Sequence, residues 1–299
     1  MAQTTAFMIS SELLRFLRRY WGRLLLLLLL VWVYTGFRFR TPDREAIASF
    51  KAEGVALKTG YFARHGKQLH YAQVGDDTRL PLLVFIHGTP GSWADFKAIM
   101  KDGSLRARYR MVSVDRPGFG FSDFGEALPM QEQVVLLAAL LEELRQGQSV
   151  YLAGHSLGGP VAAWLAAEYP QWVQAICIIA GSLSPAHEPA ETWRYYLQPF
   201  PLRYLLPGAF RPSNEELVFF KKDVVQLAGK LRRIACPVWI VHATDDMFVP
   251  VENVAFMKNE MRLAPYIRDT ILPDGNHFLP FNRVPLVCRL LLEMARSDR

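Results

Sequence analysis

The chain has 299 residues, 51% of them hydrophobic and 12% aromatic, with a formal net charge of +6 and three cysteines. That length holds one large packed domain or two ordinary ones, and the composition excludes a disordered, collagen-like, coiled-coil or disulfide-framework protein. Residues 1–60 hold nine Arg or Lys against four Asp or Glu, which is +5 of the total, so the rest of the chain is close to neutral and carries no footprint for nucleic acid.

The first feature along the chain is a run of seven leucines, Leu24–Leu30, opening a charge-free stretch that ends at Phe37. As a helix these 14 residues would rise about 21 Å, short of the roughly 30 Å of a bilayer's hydrocarbon. If Arg23 snorkels to the headgroups, residues 20–39 form a longer hydrophobic helix with Tyr20, Trp21, Trp32 and Tyr34 near its ends. The expectation is therefore a single-pass membrane anchor within a basic segment 1–57. Arg15, Arg18, Arg19 and Arg23 precede the run while Arg38, Arg40 and Arg44 follow it, so the positive-inside rule leans toward placing the rest of the chain on the non-cytoplasmic side. A cleaved signal peptide and a surface helix are the alternatives. The sequence Arg38-Phe39-Arg40-Thr41-Pro42 lacks a small-x-small cleavage site, and the leucine run is apolar all round, which argues against both.

From about residue 58 the pattern alternates. Gly60–Val74 reads as a hairpin around His65-Gly66. Leu82–Ile86, Met111–Val114, Val150–Ala153, Ala175–Ala180 and Val238–Val241 are short apolar runs suited to strands buried on both faces. Met130–Arg145, Leu157–Glu168 and Val251–Met261 carry helical spacing. The fold class expected is α/β, a mostly parallel sheet flanked by helices, with its core in residues 58–181 and 236–299. Residues 182–235 break the rhythm: Trp193, Tyr195, Tyr196, Phe200, Tyr204, Phe210, Phe219 and Phe220 are interleaved with prolines and charges. Such an insertion is a helical cap over a pocket or a packing layer, and the apolar, aromatic lining of ligand sites favours the cap. Cys177, Cys236 and Cys288 fit neither a zinc site nor a redox pair and read as buried small residues.

The chemistry centres on Gly154-His155-Ser156-Leu157-Gly158, with an apolar strand before it and a helical pattern after it. A serine on a sharp strand-to-helix turn needs neighbours two residues away on either side that have no side chain to clash. Such a hydroxyl also needs a base, and the base an orienting group. Downstream, Asp245 and Asp246 follow the strand Pro237–Val241, and His277 follows Ile271-Leu-Pro-Asp-Gly-Asn. The order Ser, Asp, His is that of the elbow hydrolases and differs from the other two common serine triads.

With His87-Gly88-Thr89-Pro90-Gly91 after one buried strand and Asp115-Arg116-Pro117-Gly118-Phe119-Gly120 with Ser122 after another, the chain resembles the α/β-hydrolase superfamily, in its cap-bearing esterase and C–C hydrolase branch, over about residues 58–296. The resemblance implies roles. Ser156 is the nucleophile, His277 the base, and Asp246 the acid, four residues before Pro250 as in the family pattern. The backbone amides of Thr89 and Leu157 form the oxyanion hole, and His87, Gly88, Gly154, Gly158 and Asp115 support the motifs. His87 shapes its loop, His155 shapes the pocket or is neutral, His242 is a packed histidine, and Asp115 with Arg116 holds its loop together.

Epoxide hydrolases and haloalkane dehalogenases of the superfamily carry aspartate at the elbow, so the resemblance implies hydrolysis of a carboxylic ester, thioester or lactone, with an apolar small molecule as substrate. C–C bond hydrolysis and iminopeptidase chemistry are alternatives; the latter calls for acids such as Glu188, Glu191, Glu215 or Glu216 to bind an amine. A non-catalytic ligand-binding receptor on the same scaffold is a further class. No metal, nucleotide or flavin signature is present, and no cofactor is expected.

Overall fold

Each of the five apolar runs becomes a strand, and their burial explains the lack of a polar face. The computed structural model describes residues 11–189 and 191–296. Its strands are β1 (Leu57–Arg64), β2 (Lys67–Val74), β3 (Leu82–Ile86), β4 (Arg110–Val114), β5 (Val150–His155), β6 (Val173–Ile179), β7 (Val238–Ala243) and β8 (Ile267–Leu272). They form one eight-stranded sheet in the order β1-β2-β4-β3-β5-β6-β7-β8. The β1–β2 and β2–β4 pairs are antiparallel and the other pairs parallel. Every residue of β3, β4, β5 and β7 is buried, as a sheet covered on both faces requires. The β1–β2 hairpin turns at His65 (φ 51) and Gly66 (φ 73), the paired positive φ values of a type I′ turn.

The helices are α1 (Ser11–Gly36), α2 (Asp43–Ala52), α3 (Lys97–Met100), α4 (Gly103–Arg106), α5 (Met130–Arg145), α6 (Gly158–Glu168), α7 (Phe210–Ala228), α8 (Glu252–Glu260), α9 (Leu279–Asn282) and α10 (Val284–Met294). Alternate residues of β3 supply two separate cores, following the two-residue period of a strand. Leu82, Val84 and Ile86 pack with Leu137 and Leu141 of α5 and with Val161 and Trp164 of α6. Leu83 and Phe85 pack on the other face with Phe50 of α2, Trp93 and Leu291 of α10. Each such side chain contributes about 1.5–3 kcal/mol on burial. The three cysteines are buried and free of disulfides.

Residues 182–235 enter between β6 and β7. They form short 3-10 turns at Pro185–His187, Thr192–Leu197, Leu202–Leu205 and Leu231–Arg233 together with α7. Phe220, Val224 and Leu227 of α7 join the core beside α5 and α6. Five other aromatics of the insertion turn outward: Tyr196 is 75% and Phe200 81% exposed, and Trp193, Tyr195 and Tyr204 are exposed too.

The N-terminal expectation needs correction. Among the described residues no helix is long and apolar enough to cross a membrane. The leucine run does lie in a helix, but α1 stops at Gly36 and Phe39 takes φ +50, so residues 20–39 are not one helix. Its charge-free part, residues 24–36, rises only about 20 Å, and Arg15, Arg18, Arg19 and Arg23 fill the preceding turns. The single-pass anchor and its orientation are therefore not found. The leucines are nonetheless exposed, and the end of α1 is tied to the insertion: the Ala209 amide donates to the Phe37 carbonyl at 2.7 Å, and the Arg211 guanidinium donates to the Tyr34 hydroxyl at 3.0 Å.

Candidate active site

The sheet order places the site. After β3 the chain steps to β4 on one side and returns to β5 on the other, and the crevice at such a switch point lies at the carboxyl ends of the strands. His87 follows β3, Asp115 follows β4, Ser156 follows β5, Asp246 follows β7 and His277 follows β8. All five therefore sit along one edge of the sheet.

Ser156 occupies φ +53, a left-handed conformation that costs a non-glycine residue free energy and persists only where the surroundings enforce it. Its amide donates to the Ile179 carbonyl at 2.9 Å, and its carbonyl accepts from the Gly159 amide at 2.9 Å. A Cβ on Gly154 would stand 2.2 Å from the Gly158 carbonyl oxygen, and one on Gly158 would stand 2.1 Å from the Ile86 carbonyl oxygen. The two glycines are thus required by backbone contact, within the turn and between the turn and the end of β3. A Cβ on Gly88 would meet Ser156 Cβ at 2.8 Å, so the loop bearing Thr89 lies directly against the serine. Leu157 stands at the start of α6, between Ser156 and the first helical turn.

His277 Nδ1 lies 2.8 Å from Asp246 Oδ2. The other Asp246 oxygen accepts the amides of Phe248 at 2.9 Å and Val249 at 2.8 Å. Burial alone would raise this carboxyl, but the bond to His277 and the two amides outweigh it and hold Asp246 below the usual carboxylate range. An ionised carboxylate fixes the Nδ1–H tautomer of His277 and leaves Nε2 as the acceptor. Asp245 is exposed, its carboxylate meeting only the Thr244 hydroxyl at 3.4 Å. Of the two adjacent acids, Asp246 is the one brought to the imidazole.

Three further histidines surround this pair without competing with it. His155 is buried and its Nε2 donates to the His277 carbonyl at 2.9 Å; burial and the neighbouring His277 push it down to about 3, so it is neutral and fastens the backbone of His277. His242 donates to the Val249 carbonyl at 2.9 Å and is held below its ordinary value by burial. His87 donates from Nδ1 to the Gly88 carbonyl and accepts the Arg116 amide at Nε2, at 2.7 and 2.9 Å. Burial and the Arg116 guanidinium keep it neutral. Asp115 is fully buried and accepts from the Trp93 amide, the Phe121 amide and His70 Nδ1 at 2.7, 3.0 and 2.8 Å. It ties three segments together.

Several residues of the site go beyond the sequence reading. Met247, Phe248, Phe278 and Phe281 are exposed, with the Phe248 ring centroid 5.2 Å and the Phe278 centroid 5.7 Å from that of His277. Phe248 and Phe278 flank the imidazole, Phe281 packs near Phe278, and Met247 follows Asp246 at the surface, so together they make an apolar rim on this side of the site. The signal was available, since Met247 and Phe278 directly follow Asp246 and His277, and Phe248 and Phe281 lie within four positions of them. Glu216 of α7 meets Arg116 in a buried ion pair, which sequence spacing alone could not reveal. The remaining acids of the insertion also have partners: Glu215 pairs with Arg203, Glu191 with Arg194 at 2.6 Å, and Glu188 accepts from the Ser182 hydroxyl at 2.9 Å.

The architecture is the α/β-hydrolase fold. The family model described as alpha/beta hydrolase fold matches residues 81–205, which carry the His87–Gly91 loop and the Gly154–Gly158 elbow. Among curated proteins, the chain is 28% identical over 145 residues to Epoxide hydrolase 1 of Caenorhabditis elegans, covering 46% of this chain and 35% of that protein. It is 26% identical to Serine hydrolase BPHL of Mus musculus, covering 81% of this chain and 87% of that protein. The chain spans about a third to a half of the length of the first such relatives. Among solved structures, a bacterial membrane phospholipase A superposes with a TM-score of 0.63 at 19% identity, covering 94% of this chain and 98% of that one.

Proposed function

We propose that this chain is a serine esterase acting on a carboxylic ester with an apolar, lipid-like part. The observation that carries the reading is Ser156, held at positive φ on the elbow, on the same edge of the sheet as the Asp246–His277 pair at 2.8 Å. In the reaction His277 Nε2 takes the Ser156 proton as the hydroxyl oxygen adds to the ester carbonyl. The developing oxyanion is met by the Thr89 and Leu157 amides, and such preorganised donors act only where charge appears in the transition state. Collapse breaks the C–O bond, His277 protonates the departing alkoxide, and a water activated by the same imidazole hydrolyses the acyl-enzyme. Asp246 stabilises the imidazolium throughout.

The apolar rim of Met247, Phe248, Phe278 and Phe281 supports an apolar substrate, since polar groups there would have to be desolvated without partners. The exposed leucines of α1, with arginines before and after them in the chain, support contact with a lipid-like partner. The structural neighbour, a membrane phospholipase A, agrees with this substrate class. The iminopeptidase alternative loses ground, because Glu188, Glu191, Glu215 and Glu216 are all engaged by other groups. Ser156→Ala should lower kcat toward p-nitrophenyl butyrate by on the order of 10⁶ and abolish labelling by a fluorophosphonate. Turnover that survives the substitution would overturn the mechanism, and a wild-type protein that binds esters without labelling would favour a receptor.

A further inference from the structure

Arg116 is wholly buried and Glu216 nearly so, yet they belong to different parts of the fold. Arg116 lies in the loop after β4, and Glu216 lies on α7 of the insertion. All five N–H donors of the guanidinium are used. Nε donates to the His87 carbonyl at 2.8 Å, one Nη2 hydrogen goes to the Gly88 carbonyl at 2.8 Å, and one Nη1 hydrogen goes to Gln133 Oε1 at 3.0 Å. The remaining two form a fork on the Glu216 carboxylate, Nη1 to Oε1 and Nη2 to Oε2, the latter at 3.1 Å. Gln133 Nε2 also donates to Glu216 Oε1 at 2.7 Å, locking the carboxylate from a second side.

The carbonyls that Arg116 holds belong to the oxyanion loop. Gly88 O accepts both from Arg116 and from His87 Nδ1. In a trans peptide the carbonyl and the following N–H point in opposite directions. Pinning Gly88 O on the guanidinium therefore sets the direction of the Thr89 N–H, in a loop whose Gly88 packs against Ser156. A buried ion pair is seldom a net source of stability, because removing two charges from water costs about as much as their attraction returns. Its placement across two elements makes more sense as a means of fixing geometry.

We propose that Glu216 is a positioning residue: through Arg116 it aims the Gly88–Thr89 peptide, so that the oxyanion site forms only when α7 is seated against the core. The insertion then does more than cover substrate, because its docking sets the catalytic power of the elbow. The inference rests on the serine-esterase reading, since it assigns a purpose to the Thr89 amide.

The test is Glu216→Gln, which keeps the shape but removes the charge and half of the fork. We expect kcat for p-nitrophenyl butyrate to fall on the order of 10²-fold, the scale set by misplacing an oxyanion donor, with KM within about threefold. The inhibition constant of an aryl trifluoromethyl ketone, whose tetrahedral adduct carries the oxyanion, should rise by the same factor as kcat/KM falls. Because Glu216→Gln leaves an uncompensated buried guanidinium that lowers stability, Arg116→Met with Glu216→Leu provides a second variant with an apolar pair. That double variant leaves no uncompensated charge; the His87 carbonyl and Gln133 Oε1 lose a donor, so it should melt somewhat below the wild type, remain folded at the assay temperature and lose the same kcat. Full kcat in either folded variant, or a loss that appears in KM while the ketone binds unchanged, overturns the inference while leaving the esterase intact. A wild-type protein that neither turns over esters nor labels with a fluorophosphonate overturns the esterase reading and the inference with it.

Discussion

The edge of the sheet that bears the site and the outer face of the insertion are built by opposite rules. At the edge, His87, Asp115, Arg116, His155 and His242 are buried, and each makes hydrogen bonds that leave its direction little freedom. On the insertion, Trp193, Tyr195, Tyr196, Phe200 and Tyr204 lie at the surface. Reaction geometry must be held to a fraction of an ångström, and a close-packed wall whose side chains are fixed by hydrogen bonds does that. Exposed aromatics on short turns can adapt, which suits contact with a substrate or a surface more than it suits chemistry. On the proposed esterase reading, the difference separates the residues assigned to the reaction from those assigned to choosing what reaches it.

The most demanding check on the rigid region is Asp246→Asn beside Asp245→Asn. Loss of the carboxylate at Asp246 leaves His277 without the acceptor that fixes its tautomer, and kcat should fall by about 10⁴. Asp245→Asn removes an exposed charge with no tie to the imidazole and should change kcat by less than about twofold. Equal losses in the two variants, measured on p-nitrophenyl butyrate, would show that the loop and not the His277 contact matters.

Asp95 sharpens the contrast from the side of stability. It stands behind the oxyanion loop, where a Cβ on Gly91 would meet its Oδ2 at 2.5 Å. Burial chiefly, with a contribution from Asp115, raises its carboxyl to about 7. The folded state thus holds a proton that the unfolded chain releases near 4. Its neutral form is fully compatible with folding below that value, and stability falls as the pH rises from about 4 to about 7. Three pKa units correspond to about 4 kcal/mol, and partial exposure lowers the expectation to on the order of 2 kcal/mol. Asp95→Asn should flatten this slope in denaturant titrations between pH 4 and 7. Asp223, raised to about 6 mainly by burial, acts with the same sign, so some slope should remain. A slope unchanged by the substitution would mean that Asp95 is solvated in solution.

What could be read in the sequence follows from how local each signal is. The elbow, the hairpin at His65-Gly66 and the buried strands are written in residues adjacent in the chain, and the structure reproduces them. The pairing of Asp246 with His277 spans 31 positions, and only a resemblance of motifs made it legible. Arg116 with Glu216 spans 100 positions and matches no short pattern, so it could be found only once the fold had brought α7 to β4. The N-terminal expectation failed for a different reason. Hydropathy alone counted residues 20–39 as one helix, whereas the backbone breaks after Gly36 to meet Ala209 and Phe210.

The smallest effect concerns the exposed aromatics themselves. Tyr196→Ser with Phe200→Ser alters two side chains that contribute almost nothing to the core, so the melting temperature should stay within a degree or two, as for other surface substitutions worth less than about 0.5 kcal/mol. Activity toward a short, soluble ester such as p-nitrophenyl acetate should remain within about twofold, because the wall that holds Ser156 and His277 is untouched. Toward a long-chain ester presented in micelles, activity should fall severalfold, since each ring removes on the order of 1–2 kcal/mol of apolar contact with the aggregate. Parallel losses on both substrates would mean that the insertion's outer face supports the catalytic wall, and the distinction between the two regions would fail. An unchanged rate on both would leave recognition of the apolar substrate to the rim formed by Met247, Phe248, Phe278 and Phe281, next to the imidazole.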